Sequence, residues 1–120
     1  MQKYNQYLGK VGEKIAIKYL EQKNFIIIDR NFYTRWGEID IIAEKDDRLH
    51  FIEVKTRTNL NRGRPEEAIT WGKYRRAKRA VAIYLSQNNF KAVYQIDVLA
   101  ILYDTVLNKA QVRFFPNIFF

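Results

Sequence analysis

At 120 residues, 48% of them hydrophobic and 15% aromatic, the chain is long enough for one domain with its own core and too apolar for a disordered polymer. The absence of cysteine excludes disulfides and thiolate metal sites and fits a reducing cytoplasm, where the protein is expected to reside. No apolar run approaches the ~18 residues of a membrane span, the opening MQKYNQYLGKVGEK lacks the apolar centre of a signal peptide, and the net charge is +8.

Taken in chain order, residues 6–22 carry Leu8, Val11, Ile15, Tyr19 and Leu20 at helical spacing. Glu13 falls inside the apolar arc of that helix, beside Ala16 and between Ile17 and Leu20, while Lys10, Lys14, Lys18 and Glu21 share the opposite side. A carboxylate aimed at a core needs a partner, such as a shared cation or the Lys55 ammonium, unless it sits at the edge of the arc in water. Three strands follow over 25–33, 37–44 and 49–56. The last two are joined by KDDR, and a two- or four-residue loop centred between Asp46 and Asp47 pairs residues whose numbers sum to 93. That register sets Asp40 opposite Glu53, Glu38 opposite Lys55 and Ile42 opposite Phe51 on one face, with Ile39, Ile41, Ile52 and Val54 on the other. Directly opposed side chains have Cβ atoms ~5 Å apart, so Asp40 against Glu53 destabilises the sheet unless a cation lies between them. A hard divalent ion takes such oxygen donors, and Lys55 beside Glu53 is placed to orient a water or offset charge on phosphorus. The plainer reading of this face is a solvated strand laced with ion pairs.

Beyond the loop NLNRGRP, Pro65 suits the first turn of a helix running to about Gln87. Lys73 projects near Ala77, Ala80 and Tyr84, as a member of the site or as a lysine whose stem covers apolar surface. Arg75, Arg76 and Arg79 form a separate basic face suited to phosphate contacts. Nine basic residues fall between positions 55 and 79 against only Glu66 and Glu67, the footprint of a phosphate-backbone binder or of a solvated helix face. Strands over 92–102 and 110–115 complete the order α-β-β-β-α-β-β, a mixed β-sheet flanked by helices, of the α/β or α+β class. His50 shares a face with Ala43 or lies at the strand edge, and Asp97, inside an apolar strand, is expected to pair with a basic side chain. Trp36 and Trp71 stack on bases or pack in the core, with core packing expected for at least one. Phe114, Phe115, Phe119 and Phe120 are expected to pack onto the domain, or to form a dimer contact.

GEID, followed thirteen residues after Asp40 by EVK, resembles the PD-(D/E)xK nuclease signature, with Ile39 where a proline often precedes the first acid. Glu13 completes the pattern seen in archaeal Holliday-junction resolvases. Through GEKIAIKYL, WGEIDIIA, FIEVKTR, GRPEEAI, KYRRAKRAVAIYL and IDVLAI, nearly the whole chain resembles the YraN family of small bacterial predicted endonucleases with a restriction-endonuclease-like α/β fold. The resemblance implies a metal-dependent phosphodiesterase in which Asp40 and Glu53 ligate Mg²⁺, with Mn²⁺ able to substitute and the Val54 carbonyl as a further ligand. Lys55 would position or activate the attacking water, and Glu13 would assist from its helix. DNA, branched or junction DNA in particular, is the expected partner, met by Arg57, Arg62, Arg64, Lys73, Arg75, Arg76 and Arg79. Junction-cutting relatives imply a symmetric homodimer. The alternatives are a nucleic-acid-binding protein with weak or lost cleavage on the same fold, and an interaction module whose carboxylates form only ion pairs.

Overall fold

The computed structural model describes residues 2–88 and 93–118. Helix α1 (Gln2–Gln22) leads into three antiparallel strands, β1 (Ile26–Thr34), β2 (Gly37–Lys45) and β3 (Arg48–Arg57). A 3₁₀ turn (Pro65–Ala68) and helix α2 (Trp71–Gln87) carry the chain to β4 (Val93–Asp104), which lies parallel to β3, and β5 (Lys109–Phe115) closes antiparallel to β4. The sheet order is β1-β2-β3-β4-β5. This is the mixed sheet with flanking helices that the sequence leads one to expect. The first residue of the expected fourth strand, Ala92, lies outside the described residues, as do Phe119 and Phe120. Among the described residues no helix is long and apolar enough to cross a membrane.

Each face of the sheet has its own apolar cluster because the central strands turn buried apolar side chains to both sides, Ile41, Ile42 and Ala43 in β2, Phe51 and Ile52 in β3, and Val98, Leu99, Ala100 and Ile101 in β4, as strands covered on both sides do. Ala16, Leu20 and Phe25 close over Ile41, Ala43, Ile52, Leu99 and Ile101 on the α1 side. On the α2 side Ala80, Val81 and Tyr84 close over Ile39, Ile42, Leu49, Phe51 and Ile96. Helix α1 comes unusually close to β3, since a Cβ on Gly12 would collide with the Thr56 hydroxyl.

The β2–β3 register follows the sum rule from Lys45↔Arg48 to Ile41↔Ile52, through a two-residue turn in which Asp46 and Asp47 both take left-handed φ values of 53° and 59°. The ladder then stops. The expected cross-strand pairs Asp40 with Glu53 and Glu38 with Lys55 are not made, because β2 parts from β3 at Asp40. A second departure lies alongside. Asn31 has a left-handed φ of 53° in the middle of β1, and neither Asn31 nor Asp40 appears in the β1–β2 register. Arg30 points to Glu13 on α1, whereas Phe32, of the same parity, packs with Tyr84 on α2. The end of the hairpin has thus changed faces. Ile39, expected beside Ile41, travels with Phe32 into the α2 cluster for that reason.

The second helix also starts later than expected. Ile69 and Thr70 are extended, and the Thr70 hydroxyl caps α2 by accepting from the Lys73 amide at 3.3 Å. A β-branched hydroxyl residue serves better as a cap than inside a helix, so Pro65 opens only a short 3₁₀ turn.

A carboxylate cavity with a basic rim

The gap between β2 and β3 is where the chemistry gathers. The Val54 N–H, without a β2 carbonyl to pair with, donates instead to Asp40 Oδ2 at 2.8 Å. Asp40, Glu53 and Lys55 line one cavity of about 210 Å³ with Glu38, Lys73, Tyr74 and Arg76, roofed by α2. The Lys55 ammonium lies 3.3 Å from Glu53 Oε1, both half-buried. Lys55 therefore pairs with Glu53 rather than with Glu38, whose carboxyl lies in the neighbourhood of Asp40.

Burial pushes the Asp40 carboxyl up to about 7, with the neighbouring Glu38 adding to the shift and the Val54 amide and Lys55 opposing it. Glu53 also rises to about 7, through burial first and the Asp40 charge second, against the pull of Lys55 and Lys73. The Lys73 ammonium is shifted down from its ordinary value, chiefly by Lys55 and further by burial and Arg57. Carboxylates raised mainly by burial and a lysine lowered mainly by a neighbouring cation mark a cleft where a charged ligand is to be received. Two carboxylates on one wall suit a hard divalent cation that keeps several waters. Among the described residues no three His, Cys, Asp or Glu side chains form a ready-made metal cage.

The structure brings together Asp40, Glu53, Lys55 and, from α2, Lys73 and Arg76. Val54 joins them through its amide. Glu13 does not line the cavity: its Oε1 accepts from Asn31 Nδ2 at 3.0 Å and lies 4.0 Å from Arg30. Arg57 is close enough to affect Lys73, and its Nε is buried without a hydrogen-bond partner. Arg62 and Arg64 lie apart on the loop before the 3₁₀ turn, Arg64 against Ala100 and Leu102. Arg75 and Arg79 stand on the outer side of α2 with Trp36. Neither tryptophan is in the core. Trp36 is 37% and Trp71 53% exposed, and each meets an arginine of α2: Arg79 lies 4.3 Å from the Trp36 ring centre and Arg75 4.5 Å from that of Trp71. Sequence reasoning missed the Glu38–Asp40 contact and the left-handed Asn31, for which the residue type, tolerant of positive φ, was the available signal.

Asp97 finds the basic partner expected of it. Its Oδ2 lies 2.7 Å from His50 Nδ1, and its Oδ1 accepts from Gln95 Nε2 and the Asn117 amide. His50 stands opposite Ala43, away from the cavity. Phe114 packs edge-on against Phe25, as expected of the aromatic tail.

Fold and site together define a mixed-sheet α/β protein with paired carboxylates and a lysine at a strand divergence, under a basic helix. Residues 12–101 match the family described as "Uncharacterised protein family UPF0102", and the chain belongs to that family, known also as YraN. A UPF0102 protein of Syntrophomonas wolfei is 41% identical over 116 residues, covering 96% of this chain and 99% of its own length. Those of Dictyoglomus turgidum and Clostridium perfringens are 38% and 37% identical, each covering 98% of the relative's own length and respectively 96% and 99% of this chain.

Proposed function

We propose that the protein is a metal-dependent endonuclease that hydrolyses phosphodiester bonds in DNA, branched or junction DNA being its substrate class. The observation that carries this reading is the placing of two half-buried carboxylates, each pushed up to about 7, on the wall of one open cavity with the Lys55 ammonium 3.3 Å from Glu53. Asp40 and Glu53 would hold Mg²⁺ or Mn²⁺, with the Val54 carbonyl as a third donor. When bound, the ion supplies charge stabilisation at the phosphoryl oxygens and makes a nucleophilic water accessible at neutral pH. Lys55 orients that water and offsets charge building on the phosphoryl oxygens, a task suited to an ammonium held by a carboxylate. Lys73 and Arg76 draw the phosphate backbone into the cavity, and Arg57 adds positive charge close to Lys73. Glu13, bonded to Asn31 beside Asp40 on the neighbouring strand, acts on the site through the position of β1 rather than through contact.

A second reading, binding without efficient cleavage, draws on the finding that among the described residues no three His, Cys, Asp or Glu side chains, Glu38 of the cavity included, are placed to hold an ion together. The deciding experiment is a cleavage panel of branched, nicked, flapped and single-stranded DNA with Mg²⁺ or Mn²⁺, run beside Lys55→Ala. Cleavage of a branched substrate by the native protein and its loss in the variant support the nuclease. Salt-sensitive binding with no cleavage by either favours the binding protein. If neither binding nor cleavage occurs, both readings fall.

A further inference from the structure

Beside the carboxylate cavity lies a second, of about 300 Å³, lined by Trp36, Gly72, Arg75, Arg76 and Arg79. No acidic side chain lines it, and among the described residues none of its three arginines has a carboxylate within 4.0 Å. Gathering unpaired guanidinium groups costs the folded state self-repulsion, which an anionic ligand would relieve.

The arginines are also held. Trp36 has the Arg79 guanidinium 4.3 Å and the Arg35 guanidinium 4.7 Å from its ring centre. Stacking uses the flat face of a guanidinium and leaves its in-plane N–H groups for phosphate oxygens. The indole itself is carried on a tight turn: the Thr34 hydroxyl donates to the Gly37 carbonyl and accepts from the Trp36 and Gly37 amides. Arg76 lines both cavities, and a methyl group on Gly37 would touch its Cβ at 3.5 Å, so the two cavities share a wall.

We infer that this second cavity binds the terminal phosphate of the nucleic-acid strand whose phosphodiester lies at Asp40 and Glu53; the identity of that strand rests on the nuclease reading. A terminal phosphomonoester carries about −1.5 to −2 charges at neutral pH against −1 for an internal diester, which suits it to three unpaired guanidiniums. Among branched DNAs the substrate is then one with a phosphorylated end near the point of cleavage, such as a short flap.

Binding in the presence of EDTA tests this without any need for cleavage. The probes are oligodeoxythymidylate strands bearing a 5′-phosphate, a 3′-phosphate or hydroxyls at both ends. Trp36 and Trp71 are the only two tryptophans in the chain, so intrinsic fluorescence reports occupancy beside the cavity. One phosphorylated strand should bind about tenfold more tightly than the hydroxyl-ended one. Arg75→Gln and Arg79→Gln should each reduce that ratio towards one, while unchanged thermal melting shows the fold intact. Equal affinity for all three strands overturns the inference, as does a preference that survives both substitutions. A phosphate preference in a protein that cleaves nothing with Mg²⁺ or Mn²⁺ upholds the pocket and sinks the nuclease; cleavage without the preference does the reverse.

Discussion

Asp40 does two things at once. Its carboxylate replaces the missing strand partner of the Val54 amide, and it stands in the electrostatic neighbourhood of Glu53 in a cavity where both are raised to about 7. That raises a question of sign for the metal-free protein. Below about pH 4 both groups are protonated whether the chain is folded or not. Between about pH 4 and 7 the unfolded chain has released these protons and the folded chain still holds them, so stability falls as pH rises. Above about 7 the folded protein ionises too and the loss levels off. Thermal melting in EDTA should therefore show a decline from pH 5 to 8 that Asp40→Asn flattens, since the amide oxygen still accepts from Val54 while carrying no charge. At pH 8 that variant should be more stable than the native protein by on the order of 1–3 kcal/mol; equal or lower stability would show that the charge is not strained. The same substitution should lower cleavage by on the order of 10³ and leave DNA binding in EDTA unimpaired. Mg²⁺ or Mn²⁺ should raise the melting temperature of the native protein at pH 8 more than at pH 5, because ligation requires the deprotonated carboxylates.

At the scale of elements, the site depends on two strands that run together from their turn and then separate. The register came from KDDR by taking an even loop centred between Asp46 and Asp47, which the structure makes as a two-residue turn with both at left-handed φ, and that register sends Asp40 and Glu53 to the same face. What could not be read there is where the ladder ends. Period-two alternation assumes an unbroken strand, and Asn31 breaks it from the neighbouring strand, moving Ile39 to the α2 side. Pro65 was the signal read for the start of α2, and it opens only a 3₁₀ turn, the helix itself being capped at Thr70. The stacking of Arg79 on Trp36 joins residues of two elements distant in sequence, a contact no local pattern encodes. Helix α1 holds β3 from the other side through Gly12. Gly12→Ala gains about 1 kcal/mol of intrinsic helix propensity, yet its methyl meets the stiff, β-branched Thr56. The expected net result is destabilisation by about 1–3 kcal/mol in urea unfolding, as for other overpacked contacts. Gly12→Ala with Thr56→Ala, which removes the colliding hydroxyl, should recover much of it, and a stabilised single variant would show that α1 is free to shift.

Over the whole molecule the charge is unevenly placed, and binding should register that. The chain carries +8 overall, and Lys55, Lys73 and Arg76 meet at the cavity while Arg75 and Arg79 extend the same basic face along α2. Each phosphate neutralised by a cation releases counterions, so the logarithm of the association constant should fall linearly with the logarithm of salt concentration, by about 0.9 for each contact with duplex DNA. Net charge alone would make every surface arginine nearly equivalent in this slope, because a diffuse attraction counts charges and not positions. A defined track does not. Arg76→Gln should therefore reduce the slope by about 1 and weaken binding across unrelated sequences alike. Arg30→Gln removes the same charge from an exposed side chain that leans toward Glu13 on the α1 side, and it should leave the slope unchanged. Measured side by side in EDTA, the two variants separate a track from a halo. Equal changes in slope would reduce the basic face to general electrostatics, whereas a change confined to Arg76 would mean that the backbone passes over α2 on its way to Asp40 and Glu53.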